Sequence, residues 1–129
     1  MLVRLVKLFG AMLMIAYAPL CSAETRECVM TGQLLAACAV SWEAIRANDD
    51  KLTEPGRSYE AGLFDGYIFG IAVADLQTRW CPQQPFTPNQ LSAVTSRYLR
   101  EHPEQWGLRP VELVRLSLAG AFPCGRKRP

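Results

Sequence analysis

The sequence predicts an all-α fold, a small bundle of about four helices braced by two disulfides. Three observations lead there. Apolar residues recur at helical spacing through most of the chain after residue 30, and no run alternates as a strand would. Proline-bearing breaks around residues 55, 82–85, 103 and 123 separate the helical runs. An even set of four cysteines remains once the N-terminal leader is removed. The 129 residues suffice for one domain with a modest core, and half of them are apolar, which argues against disorder.

The leader is "MLVRLVKLFGAMLMIAYAPLCSA". It has a basic start at Arg4 and Lys7, an apolar run from Leu8 to Leu20, and small residues Cys21, Ser22 and Ala23. This is the pattern of a secretory signal peptide over residues 1–23, with cleavage expected after Ala23 and a mature domain over 24–129. As an uncleaved anchor the run is short for a membrane span. A lipoprotein reading through Cys21 is weakened by the bulky Leu20 before it. No membrane span is expected after the leader is removed.

Four helices follow in order. Thr31 caps the first, "TGQLLAACAVSWEAIRAN", with Leu34, Leu35, Cys38 and Trp42 on one face. "NDDKLTEPGR" is read as a loop because of Pro55-Gly56. Ser58 is expected to cap the second helix, which runs to about Trp80, with Glu60 and Arg79 suiting its dipole. Thr87, Pro88 and Gln90 form a capping-box start for the third. That helix runs to about Glu101, with Leu91, Val94, Tyr98 and Leu99 on one side and Arg97 and Arg100 off it. His102-Pro103 ends it. Pro110 opens the fourth, whose stripe of Val111, Val114 and Leu118 is widened by Leu113, Leu116 and Phe122.

The segment "AGLFDGYIFGIAVAD", residues 61–75, requires its own account. Its uncharged run between Asp65 and Asp75 is too short to span a bilayer, and its glycine spacing is not that of a dinucleotide loop. A packing helix fits better. Gly62, Gly66 and Gly70 recur every four residues beside Tyr67 and other bulky side chains, so a glycine groove admitting another helix is expected. Each glycine costs roughly 0.8–1 kcal/mol against alanine inside a helix, which close contact would have to offset. On this reading Gly66→Leu destabilises the fold.

Charge and chemistry exclude several functions. Fourteen basic residues less the two of the leader balance twelve acidic ones, so the mature domain is neutral and nucleic acid is not an expected partner. The charge is nonetheless uneven: residues 24–75 carry nine acids and four bases, whereas 97–129 carry three acids and seven bases. Such a dipolar surface can orient a protein partner. Cys28, Cys38, Cys81 and Cys124 suit two disulfides in an exported domain, in any of three pairings, and lack the close paired spacing of a zinc site. His102, the one histidine, sits beside Pro103 at a helix boundary rather than beside a cysteine. Asp65 and Asp75, ten residues apart on one helix, would be separated by about 15 Å of rise and make no close carboxylate pair. No catalytic residue, metal or cofactor is expected.

Taken in order, "GQLLAAC", "GYIFGIAVAD", "CPQQPFTPNQLSAVTSRYLREHPE" and "RPVELVRLSLAGAFPC" resemble the Rap/Tai family of immunity proteins, over roughly residues 31–124. The resemblance implies a small helical periplasmic protein, often a homodimer. It would bind and occlude a peptidoglycan amidase, a papain-like cysteine enzyme delivered by type VI secretion. It also implies a bridge from Cys81 to Cys124. Many members carry a further cysteine where this chain has Phe64; this chain has Cys28 upstream instead, and Cys28 would then pair with Cys38. That second pair requires a chain reversal near Thr31-Gly32, since one continuous helix would hold the two about 15 Å apart.

Two functions fit these features. The first is immunity by binding. It would use the loops at 47–57, 82–90 and 102–109, with Phe86 and Trp106 as aromatic anchors and Arg57, Arg109 and the tail Arg126-Lys127-Arg128 guiding an acidic partner. Taken singly, each aromatic is better read as packing over its own loop. The second is an exported structural or stress-related domain with no toxin partner.

Overall fold

The computed structural model describes residues 27–47 and 55–125. The leader, residues 48–54 of the first loop and the basic tail 126–128 lie outside the described residues. The fold is all-α: α1 (Gly32–Arg46), α2 (Pro55–Ala74), α3 (Pro88–Glu101) and α4 (Pro110–Ala121), with a 3₁₀ turn at Pro103–Gln105 before α4. There is no β-strand among the described residues, only an isolated bridge between Leu76 and Trp80.

Local chemistry starts α1 and α3 where the sequence predicts. The Thr31 hydroxyl accepts the Leu34 amide at 3.1 Å, satisfying one of the orphan donors of the first turn. Thr87 and Gln90 make a reciprocal capping box behind Pro88. Ahead of α1, a turn closed by the Met30 amide on the Glu27 carbonyl at 3.0 Å reverses the chain. It brings Cys28 to Cys38 with a Cα–Cα separation of 5.8 Å. The second bridge, Cys81–Cys124, joins residues 43 apart and ties the segment after α2 to the end of α4.

The ends of α2 differ from the sequence expectation. The helix begins at Pro55, so Gly56, Arg57 and Ser58 lie inside it rather than in a loop or cap. Proline suits a first helical position because its missing N–H would be unpaired there anyway. At the other end α2 stops at Ala74, well short of Trp80. The Asp75 carbonyl accepts the Thr78 hydroxyl at 2.8 Å and the Arg79 amide at 2.9 Å, and Gln77 adopts φ 61°. This tight turn redirects the chain so that Trp80 can bury its ring and donate its indole N–H to the Ala72 carbonyl at 2.8 Å.

The expected glycine groove on α2 is not buried. The residues that face the core are Ala61, Phe64, Ile68 and Ala72, while Gly62, Gly66 and Gly70 are exposed and a Cβ at any of them would meet nothing within 4 Å. The physical reason is competition between two strips on one helix. Burying a large apolar side chain is worth about 1.5–3 kcal/mol, so the Phe64 and Ile68 strip wins the core. Tyr67 flanks that strip, half-buried against the core. Phe64, standing where the resemblance places a cysteine in other members, is fully buried with its ring centroid 6.0 Å from that of Trp42 on α1. The glycine that does make a close approach is Gly32. A Cβ there would strike the carbonyl oxygen of Trp106 and come within 2.7 Å of the Leu108 carbonyl and of Leu113 Cδ1.

Helix α3 contacts all three other helices, and its buried face is more polar than its apolar pattern suggests. Leu91 and Leu99 are buried as expected, but Val94 and Tyr98 are only half-buried. Ser92, Thr95 and Ser96 are buried instead, each serving a different neighbour. Ser92 donates to Asp65 on α2, Thr95 and Ser117 of α4 share a hydrogen bond at 2.9 Å, and Ser96 donates to Glu43 on α1. Ser92, Thr95, Ser96 and Leu99 have the i, i+3, i+4, i+7 spacing of one helical face. On that face short hydroxyl side chains permit close helix approach while satisfying half-buried carboxylates. On α4, likewise, Leu116 of the expected stripe is exposed, and Leu113, Val114, Ser117 and Leu118 are buried.

Candidate functional site

The residues singled out for partner binding do not converge on one place. Arg57 is half-buried in the first turn of α2. Phe86 sets its ring edge against Trp80 with centroids 4.9 Å apart, and Phe122 flanks the same indole at 5.6 Å. Trp106 donates its indole N–H to the Leu99 carbonyl at 2.8 Å and packs against the core. Both aromatics thus pack locally. Arg109 precedes α4 and is largely exposed, with its guanidinium bonded to Glu112 at 2.8 Å.

Three open surfaces stand out among the described residues. The first is a hollow of about 560 Å³ beside the Cys81–Cys124 bridge, walled by Phe86, Val94, Phe122 and Pro123 with glutamines at its margin. The second is the outer face of α2. There the bare backbone at Gly62, Gly66 and Gly70 runs between exposed Tyr59, Phe69 and Val73, with no charged residue among them. The third is a hollow of about 380 Å³ where Arg79, Arg109 and Arg115 meet the exposed side chains of Leu108 and Leu116.

The electrostatics of this third surface are organised from below. Asp75, buried to 7 % exposure, holds Arg115 by two hydrogen bonds at 2.7 and 3.3 Å and lies 3.6 Å from Arg79. The hydrogen bonds that Arg115 donates to Asp75 raise the Arg115 pKa further, keeping the guanidinium charged. The Arg109 hydrogen bond pulls Glu112 below the usual carboxylate range. Burial pushes the nearby Tyr67 phenol up, against the opposing pull of the Arg115 cation.

The chemistry of the remaining reactive groups is occupied. All four described cysteines are in disulfides. His102 Nδ1 lies 3.0 Å from Glu104, and its ring sits on Tyr98 at 4.4 Å. Among the described residues no group of three or more His, Cys, Asp and Glu side chains could hold a metal ion, and no helix is long and apolar enough to cross a membrane.

A bundle that presents docking faces, with its cysteines closed in two bridges, matches what the comparison of families finds. The family of Rap1a immunity proteins matches residues 30–124, which takes in all four helices and both bridges except Cys28. The chain belongs to the Rap1a immunity protein family. No curated protein matches it. Membership in the Rap1a family implies that the chain's partner is a protein, a secreted effector against which it confers immunity. The two disulfides suit an exported Rap1a protein.

Sequence reasoning missed most of the arginine hollow of this Rap1a protein. Arg79 was read as a dipole partner at the end of α2, and Leu116 as part of an apolar stripe. The pairing of Asp75 with Arg115 spans 40 residues, which no local pattern displays.

Proposed function

We propose that the protein is a periplasmic immunity protein that binds and occludes a peptidoglycan amidase effector of type VI secretion, after export by a signal peptide over residues 1–23 removed behind Ala23. The observation that carries this reading is the family match across residues 30–124, the whole of the described bundle apart from residues 27–29 and 125. On this reading inhibition is stoichiometric. The protein covers the effector's catalytic cleft and performs no turnover, and its disulfides keep the docking surface in one conformation, which lowers the ordering cost of binding. Arg57 and Arg109 steer approach, and Phe86 contributes the wall of a hollow. The protein pairs as a homodimer through the uncharged outer face of α2, where exposed Tyr59, Phe69 and Val73 would otherwise stay in water.

The test directs a candidate type VI peptidoglycan amidase to the periplasm of a host, with and without the protein. Protection from lysis is expected only when the protein carries its leader. Equal lysis in both cultures sinks the amidase reading. Sedimentation of the purified mature protein reads the homodimer directly, and a monomer at all concentrations removes that part alone.

A further inference from the structure

We propose that the hollow formed by Arg79, Arg109, Arg115, Leu108 and Leu116 is the surface that receives the effector, and that the matching surface on the effector is acidic with an apolar centre. The inference rests on the effector-binding reading above and names the contact through which it acts.

Two carboxylates, Asp75 and Glu112, hold three guanidiniums around one hollow. Arg115 is held from beneath by the buried carboxylate of Asp75, through Nε and one terminal nitrogen, which leaves the other terminal nitrogen for a partner. Arg109 is held by Glu112 one turn into α4. Arg79 is held by its ion pair with Asp75 at 3.6 Å, and its backbone is fixed by the turn that carries it. The turn from Asp75 to Trp80 places Gln77 at φ 61°, a conformation that costs a non-glycine residue of order 1 kcal/mol. That turn is secured on both sides, by the Thr78 and Arg79 bonds to the Asp75 carbonyl and by the buried indole of Trp80. Local strain that the surroundings hold in place is a mark of a site whose geometry matters.

The charge pattern selects the partner. Three arginines face two carboxylates. Asp75 is buried, so the solvent-facing side of the hollow is cationic, with only Glu112 opposing it there. Leu108 and Leu116 stay exposed within it. Fixed guanidiniums around apolar side chains match carboxylates around an apolar anchor, since arginines presented in place lose little entropy on bonding. The uncharged hollow beside Phe86 and the uncharged face of α2 offer an acidic partner no such match.

The probe is the candidate amidase of the lysis test, and its association with the full mature protein is followed by stopped flow at low and high salt. The wild type is expected to associate more slowly as salt rises. The double variant Arg79→Glu with Arg109→Glu is expected to slow association about tenfold or more at low salt and to lose the salt dependence. Leu116→Ala, which changes no charge of the hollow, is expected to speed dissociation about tenfold or more. Arg97→Glu on the exposed face of α3 serves as a charge-reversal control away from the hollow and should change either rate by less than about twofold. Thermal melting of each variant establishes that it is folded. If the wild type binds and the hollow variants bind within about twofold of it, this inference is overturned while the immunity reading stands. If the wild type itself fails to bind, the immunity reading against that amidase falls and the inference falls with it.

Discussion

Two glycine-bearing regions of this protein behave oppositely to what their spacing suggests. Gly62, Gly66 and Gly70 recur with helical spacing in the middle of α2, yet they border open space. Gly32 stands alone at the start of α1 and is the position where a side chain cannot fit. The carbonyls of Trp106 and Leu108 and a methyl of Leu113 already occupy the place of its Cβ. Regular spacing shows that small residues share a face. It does not show whether that face is turned inward, because a second strip of bulky residues on the same helix competes for the core. Close approach is a property of the partner segment, and the partner of Gly32 lies more than 70 residues away in the chain.

The largest effect that tests this contrast is expected at Gly32. Gly32→Leu forces apart α1 and the segment 106–113, both held by backbone atoms that have no rotamer to escape into. Overpacking of this kind costs about 1–3 kcal/mol and sometimes more, and the backbone contacts put Gly32→Leu at the upper end. Urea denaturation of the oxidised mature protein should show a large fall in the midpoint. An unchanged midpoint would mean that the two segments do not meet as described.

Removing the Cys28–Cys38 bridge is expected to rank next. It closes a loop of ten residues around the turn that presents Gly32, and chain-entropy reasoning assigns such a loop about 2–3 kcal/mol. Cys28→Ser with Cys38→Ser should therefore lower stability by about that much. The same variant combined with Gly32→Ala then sharpens the comparison. If the bridge acts by holding Gly32 against Trp106 and Leu108, the two losses should fail to add, since residues sharing a contact couple. Strict additivity would show that the bridge and the glycine act separately.

The features legible in the sequence were those written in local chemistry. Thr31 and the Thr87-Gln90 pair declare helix starts through side chains that reach only three residues along. Cys81–Cys124 and Cys28–Cys38 followed from the family resemblance, and both are present. What was not legible depends on segments distant in the chain. The hydroxyls of Ser92, Thr95 and Ser96 look like solvent-facing residues until α1, α2 and α4 each bring a partner to them. The early end of α2 is set by the turn that seats Trp80 under Ala72, not by any helix-breaking residue within 75–80. The arginine hollow is missed for the same reason, since Asp75 organises a cation 40 residues away.

The smallest expected effect carries the sharpest distinction. A glycine in an exposed helix interior costs roughly 0.5–1 kcal/mol against alanine, because it leaves more backbone entropy to lose on folding. With open space at its Cβ position, Gly66→Ala should therefore stabilise the monomer by about that amount, the opposite of what a buried strip would give. Gly66→Leu, which a packed groove would forbid, should fold with a melting temperature near that of the parent. The same substitution reads the homodimer when sedimentation is run beside the melt. If two copies pair through the face bearing Gly66, Phe69 and Val73, the leucine holds their backbones apart and the dimer is lost while the fold persists. If the dimer survives Gly66→Leu, another face joins the copies. A steep drop in melting temperature would instead place α2 against another helix of its own chain and restore the buried strip.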